Sequence, residues 1–331
     1  MNNYSYVFNA FGKSLKILGN WAPCLRDITS WYAMPRLEVS KVTDLTIEIS
    51  GASTEEINKL IPLPADKFKL RSGIMKVNEN FDYASYSEGN RHWMDYAGAG
   101  RILTDFENGS ATSLICSETM LPTYQKYLFA DHPLDRLLAS RDIFSMHASC
   151  ASVNGKGIAF TGTSGAGKST ATFALMQKGI PILTDEKLFI LKRDGGYSGG
   201  AMSDIIKVRQ DVISKFFPQP EAGKKLDVIG EEHYFKLGTS ESYRWQEKVN
   251  LKALCMLEQT GNSGTEITTI NPTKLAGGLF PVTITSVSPQ FRAEKFGFIM
   301  EMLENIECRL IKFGTDMDNF TGAVENLAAL L

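Results

Sequence analysis

The sequence predicts an α/β protein: a domain organised around a phosphate-binding loop over residues 126–331, preceded by a β-rich domain over residues 1–125. Three observations carry this expectation. A short apolar strand, GIAFT, runs into a glycine-rich turn that opens a helical segment at residue 168. Residues 1–120 instead alternate apolar and polar side chains in short runs separated by turn residues. The length, 331 residues, suits two domains.

Hydrophobic residues make up 43% of the chain and charged residues 22%, an ordinary balance for a globular protein. A net charge of -2 gives no electrostatic case for nucleic acid or an anionic membrane. The five cysteines are scattered and form no Cys-x-x-Cys pair, which reads as reduced thiols in a cytoplasmic protein. Neither they nor the four histidines have metal-ligand spacing. The first twenty residues lack the apolar core of a signal peptide. No stretch approaches the ~20 apolar residues that span a bilayer.

Along the chain, residues 4–11 are aromatic-rich and alternating, and DLTIEIS at 44–50 suits a half-buried strand. Ser53 and Glu56 have capping-box spacing for a helix through Leu60, stopped by Pro62 and Pro64. Residues 68–77 predict another strand. A hairpin follows over 101–116, with Asn108 and Gly109 at its turn. Leucine spacing over 121–142, interrupted by Pro133, predicts a linking helix or two short ones between the domains. The pattern then becomes strand (144–153), Asn154-Gly155 turn, strand (157–161), loop, helix (168–178) stopped by Gly179, and strand (180–183). Strands are expected at 251–257 and 306–313, and helices at 291–304 and 319–330.

The turn Gly162, Thr163, Ser164, Gly165, Ala166, Gly167, Lys168, Ser169 fits G-x-x-x-x-G-K-[ST] in full and sits between strand and helix, the context its mechanism needs. Glycines let consecutive N–H groups converge on phosphates. The helix N-terminus, extending to Thr170, adds positive potential. Lys168 can reach the β- and γ-phosphates, and the Ser169 hydroxyl can ligate magnesium. The pattern therefore predicts binding of ATP or another nucleoside triphosphate with Mg2+.

Thr184, Asp185 and Glu186 directly follow the next strand, with Asp185 seventeen positions after Lys168. Both carboxylates then emerge at the strand's C-terminal edge, where ligands bind in open α/β sheets. One can accept a proton from a hydroxyl and the other can hold magnesium; a solvated acid pair is the bland alternative. His147, on the preceding strand, is either a packed strand residue or a member of the site. Arg209, Lys224, Lys225 and Arg292 read first as solvated charges.

The run 147–186, with a histidine before a hairpin, a GxSGxGKS-type loop and a strand ending in Thr-Asp-Glu, resembles the catalytic core of HPr kinase/phosphorylase. It is more similar still to the HPr-kinase-related proteins of lasso-peptide pathways. The aromatic opening and DLTIEISG also resemble the β-rich N-terminal region of those relatives. The resemblance implies a P-loop fold shared with phosphoenolpyruvate carboxykinases, and phosphorylation of serine. It implies Asp185 as catalytic base, Glu186 as a metal ligand, and His147 beside the phosphates. It also suggests a homo-oligomer, since HPr kinases are hexamers. Two departures stand out. Glu186 occupies a position where HPr kinases carry Asp. The Glu-Ile-Arg-Gly segment is missing, its nearest counterpart being Ser203-Asp204-Ile205-Ile206-Lys207, which argues against phosphorolysis.

Three functions fit this reading: a kinase for the C-terminal serine of a lasso-type precursor peptide, a kinase for a small molecule such as free serine, and a nucleotide-dependent switch. The third lacks an Asn-Lys-x-Asp base-reading motif. Aromatic residues over 81–86 and 92–96 suggest either alternating strand packing or a peptide groove.

Overall fold

The computed structural model describes residues 4–38, 43–77, 79–163, 165–216, 225–229, 232–237, 244–283 and 289–331. The chain forms two compact units, Met1–Arg141 and Asp142–Leu331. The division falls after the helix that sequence reasoning placed in a linker, whereas the sequence-based boundary lies at 125/126.

The first unit contains β1 (Tyr4–Ala10), β2 (Lys13–Gly19), α1 (Ala22–Thr29), β3 (Leu45–Ala52), α2 (Thr54–Leu60), β4 (Lys69–Val77), β5 (Glu79–Glu88), β6 (Arg91–Tyr96), β7 (Gly100–Asp105), β8 (Ser110–Cys116) and α3 (Thr123–Ala139). One sheet runs β1-β2-β3-β8-β7-β6-β5-β4, and β3 lies parallel to both neighbours. Alternation decides which side chains face inward: Leu45, Ile47 and Ile49 of β3 are buried and Glu48 between them is exposed. The capping box forms as expected, with Ser53 accepting from the Glu56 amide and Glu56 accepting from the Ser53 amide. Arg101 fixes the other end of that helix, donating to the Ile61 carbonyl at 2.6 Å and to Asp95 at 2.8 Å. α3 is continuous through Pro133 and buries Phe129, Leu134, Leu137 and Leu138. Tyr86, Trp93 and Tyr96 are buried in packing, the strand-packing alternative for those three; Tyr83 is half-buried, and the side chain of Phe81 lies outside the described residues.

The second unit contains β9 (Phe144–His147), β10 (Ser149–Val153), β11 (Lys156–Thr161), α4 (Lys168–Gln177), β12 (Ile182–Thr184), β13 (Lys187–Arg193), β14 (Gly196–Gly200), β15 (Ile205–Arg209), α5 (Gln210–Phe216), β16 (Lys225–Ile229), β17 (Glu232–Lys236), β18 (Lys248–Gln259), β19 (Thr265–Thr269), α6 (Pro272–Thr283), α7 (Arg292–Asn305), β20 (Glu307–Phe313) and α8 (Met317–Leu330). Its main sheet runs β12-β10-β11-β18-β14-β13-β9, with β20 beside β18 and β19 beside β20. β11, β18 and β20 are mutually parallel, and β15-β17-β16 form a separate small sheet.

Both faces of the main sheet are covered. On one side Ile158, Phe160, Ala253 and Cys255 join α4 and α8 through Phe173, Phe320 and Val324. On the other, Ala159, Leu251 and Leu254 join α6 and α7 through Leu279, Ile299 and Met302. This explains the unbroken apolar run of β11, since a strand covered on both faces has no solvent side. α4 is buried nearly all round, including Thr170 and Thr172, so it lacks the polar stripe of a surface helix. The expected strand over 144–153 is two strands broken at Ala148, because β9 pairs with β13 while β10 pairs with β11 and β12. Asn154 and Gly155 form the β10–β11 turn, both with positive φ.

Candidate functional site

The turn after β11 is shaped by two glycines. Gly167 has φ +94°, and a Cβ on it would lie 2.4 Å from Cζ of Phe313 on β20. Gly162 has φ +157°, and its Cβ would lie 2.7 Å from Cβ of Ala166. Side chains larger than hydrogen are excluded at both positions. The Ala166 amide donates to the Thr163 carbonyl at 3.1 Å, closing the turn. Ser164 lies outside the described residues.

α4 begins at Lys168 with Gly167 as its N-cap. Gly167 has no side chain to cap it, and the first turn holds no acid. Among the described residues no capping side chain takes up its leading amides, from Lys168, Ser169 and Thr170, and the helix dipole points its positive end there. Thr163 and Gly165 are exposed, and Ala166, Gly167 and Ser169 are half-buried. Lys168 is 9% exposed, and its Nζ donates to the Gly162 carbonyl at 2.9 Å. Burial draws its pKa below the usual lysine value, against the opposing pull of Glu186.

Strand register brings the acidic pair to the same edge. β10 is antiparallel to both β11 and β12, and Cys150 stands between Ala159 and Thr184. β11 and β12 therefore run the same way, and Asp185 leaves the sheet beside the start of the loop. The three-residue β12 is held on its outer side by the 244–246 segment. The Ile182 amide donates to the Arg244 carbonyl at 2.9 Å, and the Trp245 indole N–H donates to the Leu183 carbonyl at 3.1 Å. Thr184 Oγ1 accepts from the amides of Glu186 and Lys187, both at 3.2 Å, and sets the bend after the strand.

The two carboxylates have opposite surroundings. Asp185 is 7% exposed, and its Oδ2 accepts the Lys207 backbone N–H at 2.8 Å. Desolvation first, and the Glu186 charge second, push its pKa up from 3.8 to about 7. The Glu186 side chain is 51% exposed, with Oε2 lying 3.1 Å from Lys207 Nζ. Desolvation works to raise Glu186, but the charge and hydrogen bond of Lys207, with His147 and Lys187 behind them, together hold the pKa below the usual carboxylate value.

His147, half-buried, ends β9 opposite Lys187, and the following amide, of Ala148, donates to the Glu186 carbonyl at 3.2 Å. Burial and then the Lys168 charge lower its pKa, which favours a neutral ring. His147, Lys168, Glu186 and Lys207 thus stand within each other's fields, with Asp185 beside them. Arg209 instead pairs with Asp211 at 3.0 Å on an exposed face, and Arg292 is exposed. Lys224 lies outside the described residues, as does the side chain of Lys225.

Lys207 is the residue that sequence reasoning did not single out. The alternation of Ile206 and Val208, both buried with Phe235, already places Lys207 on the opposite face of β15. Its meeting with the acidic pair depends on tertiary structure and leaves no local mark.

Among the described residues, no group of three or more His, Cys, Asp or Glu side chains could hold a metal ion alone. The site does offer the Ser169 hydroxyl and the Glu186 carboxylate. Hard oxygen donors in that number suit magnesium, which is usually held by one or two protein ligands together with phosphate oxygens and water.

No family model matches the sequence. The chain is 24% identical over 186 residues to the HPr kinase/phosphorylase of Lactobacillus acidophilus, covering 53% of this chain and 54% of the relative. It thus spans about half the length of that relative. The solved structure of the Hpr(Ser) kinase/phosphatase from Coxiella burnetii aligns with 56% of this chain and 93% of its own, at 13% identity and a TM-score of 0.28.

Proposed function

We propose that this chain is a magnesium-dependent kinase that transfers the γ-phosphoryl group of ATP, or another nucleoside triphosphate, to a serine hydroxyl. The observation that carries the reading is the pairing of an uncapped, glycine-shaped helix start bearing Lys168 with a buried, proton-accepting carboxyl, Asp185, at the same sheet edge. The similarity to an HPr kinase/phosphorylase supports the same class of reaction.

In this reading the amides of residues 162–170 and the Lys168 ammonium bind the triphosphate. Ser169 and Glu186 are the magnesium ligands; magnesium, when bound, neutralises charge on the phosphate oxygens. Asp185 accepts the proton of the incoming serine hydroxyl. The serine oxygen forms its bond to the γ-phosphorus as the bond to the β,γ-bridging oxygen breaks, and the nucleoside diphosphate leaves. A carboxyl poised near pH 7 suits this task, because a substantial fraction is ionised at neutral pH and that form is basic enough to take the proton. His147, neutral beside Lys168 and Glu186, adds a hydrogen-bonding group without adding charge. Most of the acceleration comes from positioning and from preorganised charge.

For the acceptor we propose the C-terminal serine of a lasso-type precursor peptide. The test is incubation with MgATP and either such a peptide or free serine, followed by mass spectrometry. Gain of one phosphate on the peptide serine supports the assignment. Transfer to free serine alone moves the reading to a small-molecule kinase. Slow hydrolysis stimulated by neither acceptor refutes both.

A further inference from the structure

The Lys207 contacts go beyond a scaffold role. Its backbone N–H is committed to Asp185 at 2.8 Å, which pins β15 against the acidic pair. Its side chain, 32% exposed, then reaches the one carboxylate that faces outward and meets Glu186 Oε2 at 3.1 Å. Ile206 and Val208 on either side are buried on the opposite face, which fixes the face of β15 from which Lys207 projects. Lys168, the other ammonium of the site, is directed to the Gly162 carbonyl. Glu186 is thus neutralised by a residue that is not part of the loop.

We infer that the Lys207 ammonium is a built-in competitor of the divalent cation for Glu186, so that the metal enters with the nucleotide rather than ahead of it. This rests on the assignment of Glu186 as a metal ligand in the proposed kinase. A lysine ammonium is a compact point charge on a flexible stem. Held at Glu186, it repels an incoming divalent cation and occupies a carboxylate oxygen that the cation needs. A cation already bound to phosphates brings its own anionic ligands and can displace the ammonium, which a bare cation does poorly. A lysine that merely propped Glu186 in place would have the opposite effect on metal affinity, since its loss would leave the ligand less well placed.

The experiment uses the full chain and Mn2+ as probe, with binding read by electron paramagnetic resonance in the absence and presence of ATP. The proteins are the wild type, Lys207→Met, Lys207→Gln and Lys207→Arg, each checked by circular dichroism. The two neutral variants are expected to bind Mn2+ alone about fivefold more tightly than the wild type, the factor that a partly exposed ion pair can contribute. Lys207→Arg, which keeps a competing cation, should stay near the wild type. Unchanged or weaker Mn2+ binding in whichever neutral variant folds overturns the inference. If the wild type binds Mn2+ no better with ATP than without it, the kinase reading itself fails, and the two failures are thereby distinguished.

Discussion

The buried carboxyl of Asp185 makes the second unit less stable as pH rises, and Asp185→Asn should remove that cost. The folded protein retains a proton on this group that the unfolded chain has lost between pH 3.8 and about 7. A group that binds more protons when folded contributes stability that fades as pH increases through that window. At 1.36 kcal/mol per unit, the raised pKa of Asp185 costs up to about 4 kcal/mol at pH 8, where the folded carboxyl is ionised, but only about 1.5 kcal/mol at pH 5, where it is protonated. Asparagine has similar shape, retains an oxygen to accept the Lys207 N–H and carries no charge into the buried site. The variant is therefore expected to be the more stable protein at pH 8, with its advantage shrinking by about 3 kcal/mol on going to pH 5. Urea unfolding followed by amide-hydrogen exchange on β10 and β11 reports the second unit by itself. The same substitution should lower phosphoryl transfer by about 10²–10⁴-fold while nucleotide binding survives. An Asn variant that is less stable at pH 8, or whose advantage is the same at both pH values, would refute the picture of a destabilised, desolvated base.

Lys168→Ala should fold and lose the thermal stabilisation that MgATP gives the wild type, because both the phosphate cation and the bond to the Gly162 carbonyl disappear; differential scanning calorimetry with and without MgATP checks this. Gly167→Ala forces a Cβ against Phe313 and a left-handed backbone on an L-residue, so a loss of about 2–4 kcal/mol is expected by chemical denaturation, together with loss of nucleotide binding. Ser53→Ala removes the capping box of α2 and should cost about 0.5–2 kcal/mol in the first unit, with phosphoryl transfer retained. Transfer by the wild type should rise with pH through about 7 as Asp185 ionises, and a flat profile between pH 5.5 and 8 would remove it as base.

Features encoded by neighbouring residues were legible in the sequence. The capping box at Ser53 and Glu56, the Asn154-Gly155 turn and the strand–turn–helix around Lys168 each need only a few consecutive positions. What depended on distant pairing was not legible. The break at Ala148 between β9 and β10 shows only once those strands are given different neighbours, β13 for one and β11 for the other. Lys207 is one cation in a segment with no assigned element until β15 is laid against Asp185, twenty-two positions earlier. The strand β12 had the right place and the wrong ends, because its pairing with β10 spans only Ile182 to Thr184, with 244–246 bonded to its outer side. The helix α3 looked interruptible at Pro133, yet tertiary packing of its leucines outweighs one missing hydrogen bond.

The contact between Gly167 and Phe313 also bears on how the chain acquires its binding turn. β11 acquires its parallel neighbour only when β18 has been synthesised, and the aromatic ring beneath the turn arrives later still, with β20. On the ribosome the glycine-rich segment therefore emerges long before anything can hold it in shape. Pairings between segments so distant in sequence form slowly, and they leave hydrophobic strands uncovered meanwhile. Nascent chains arrested between residues 162 and 307 should accordingly be unable to retain nucleotide, and should engage holding chaperones.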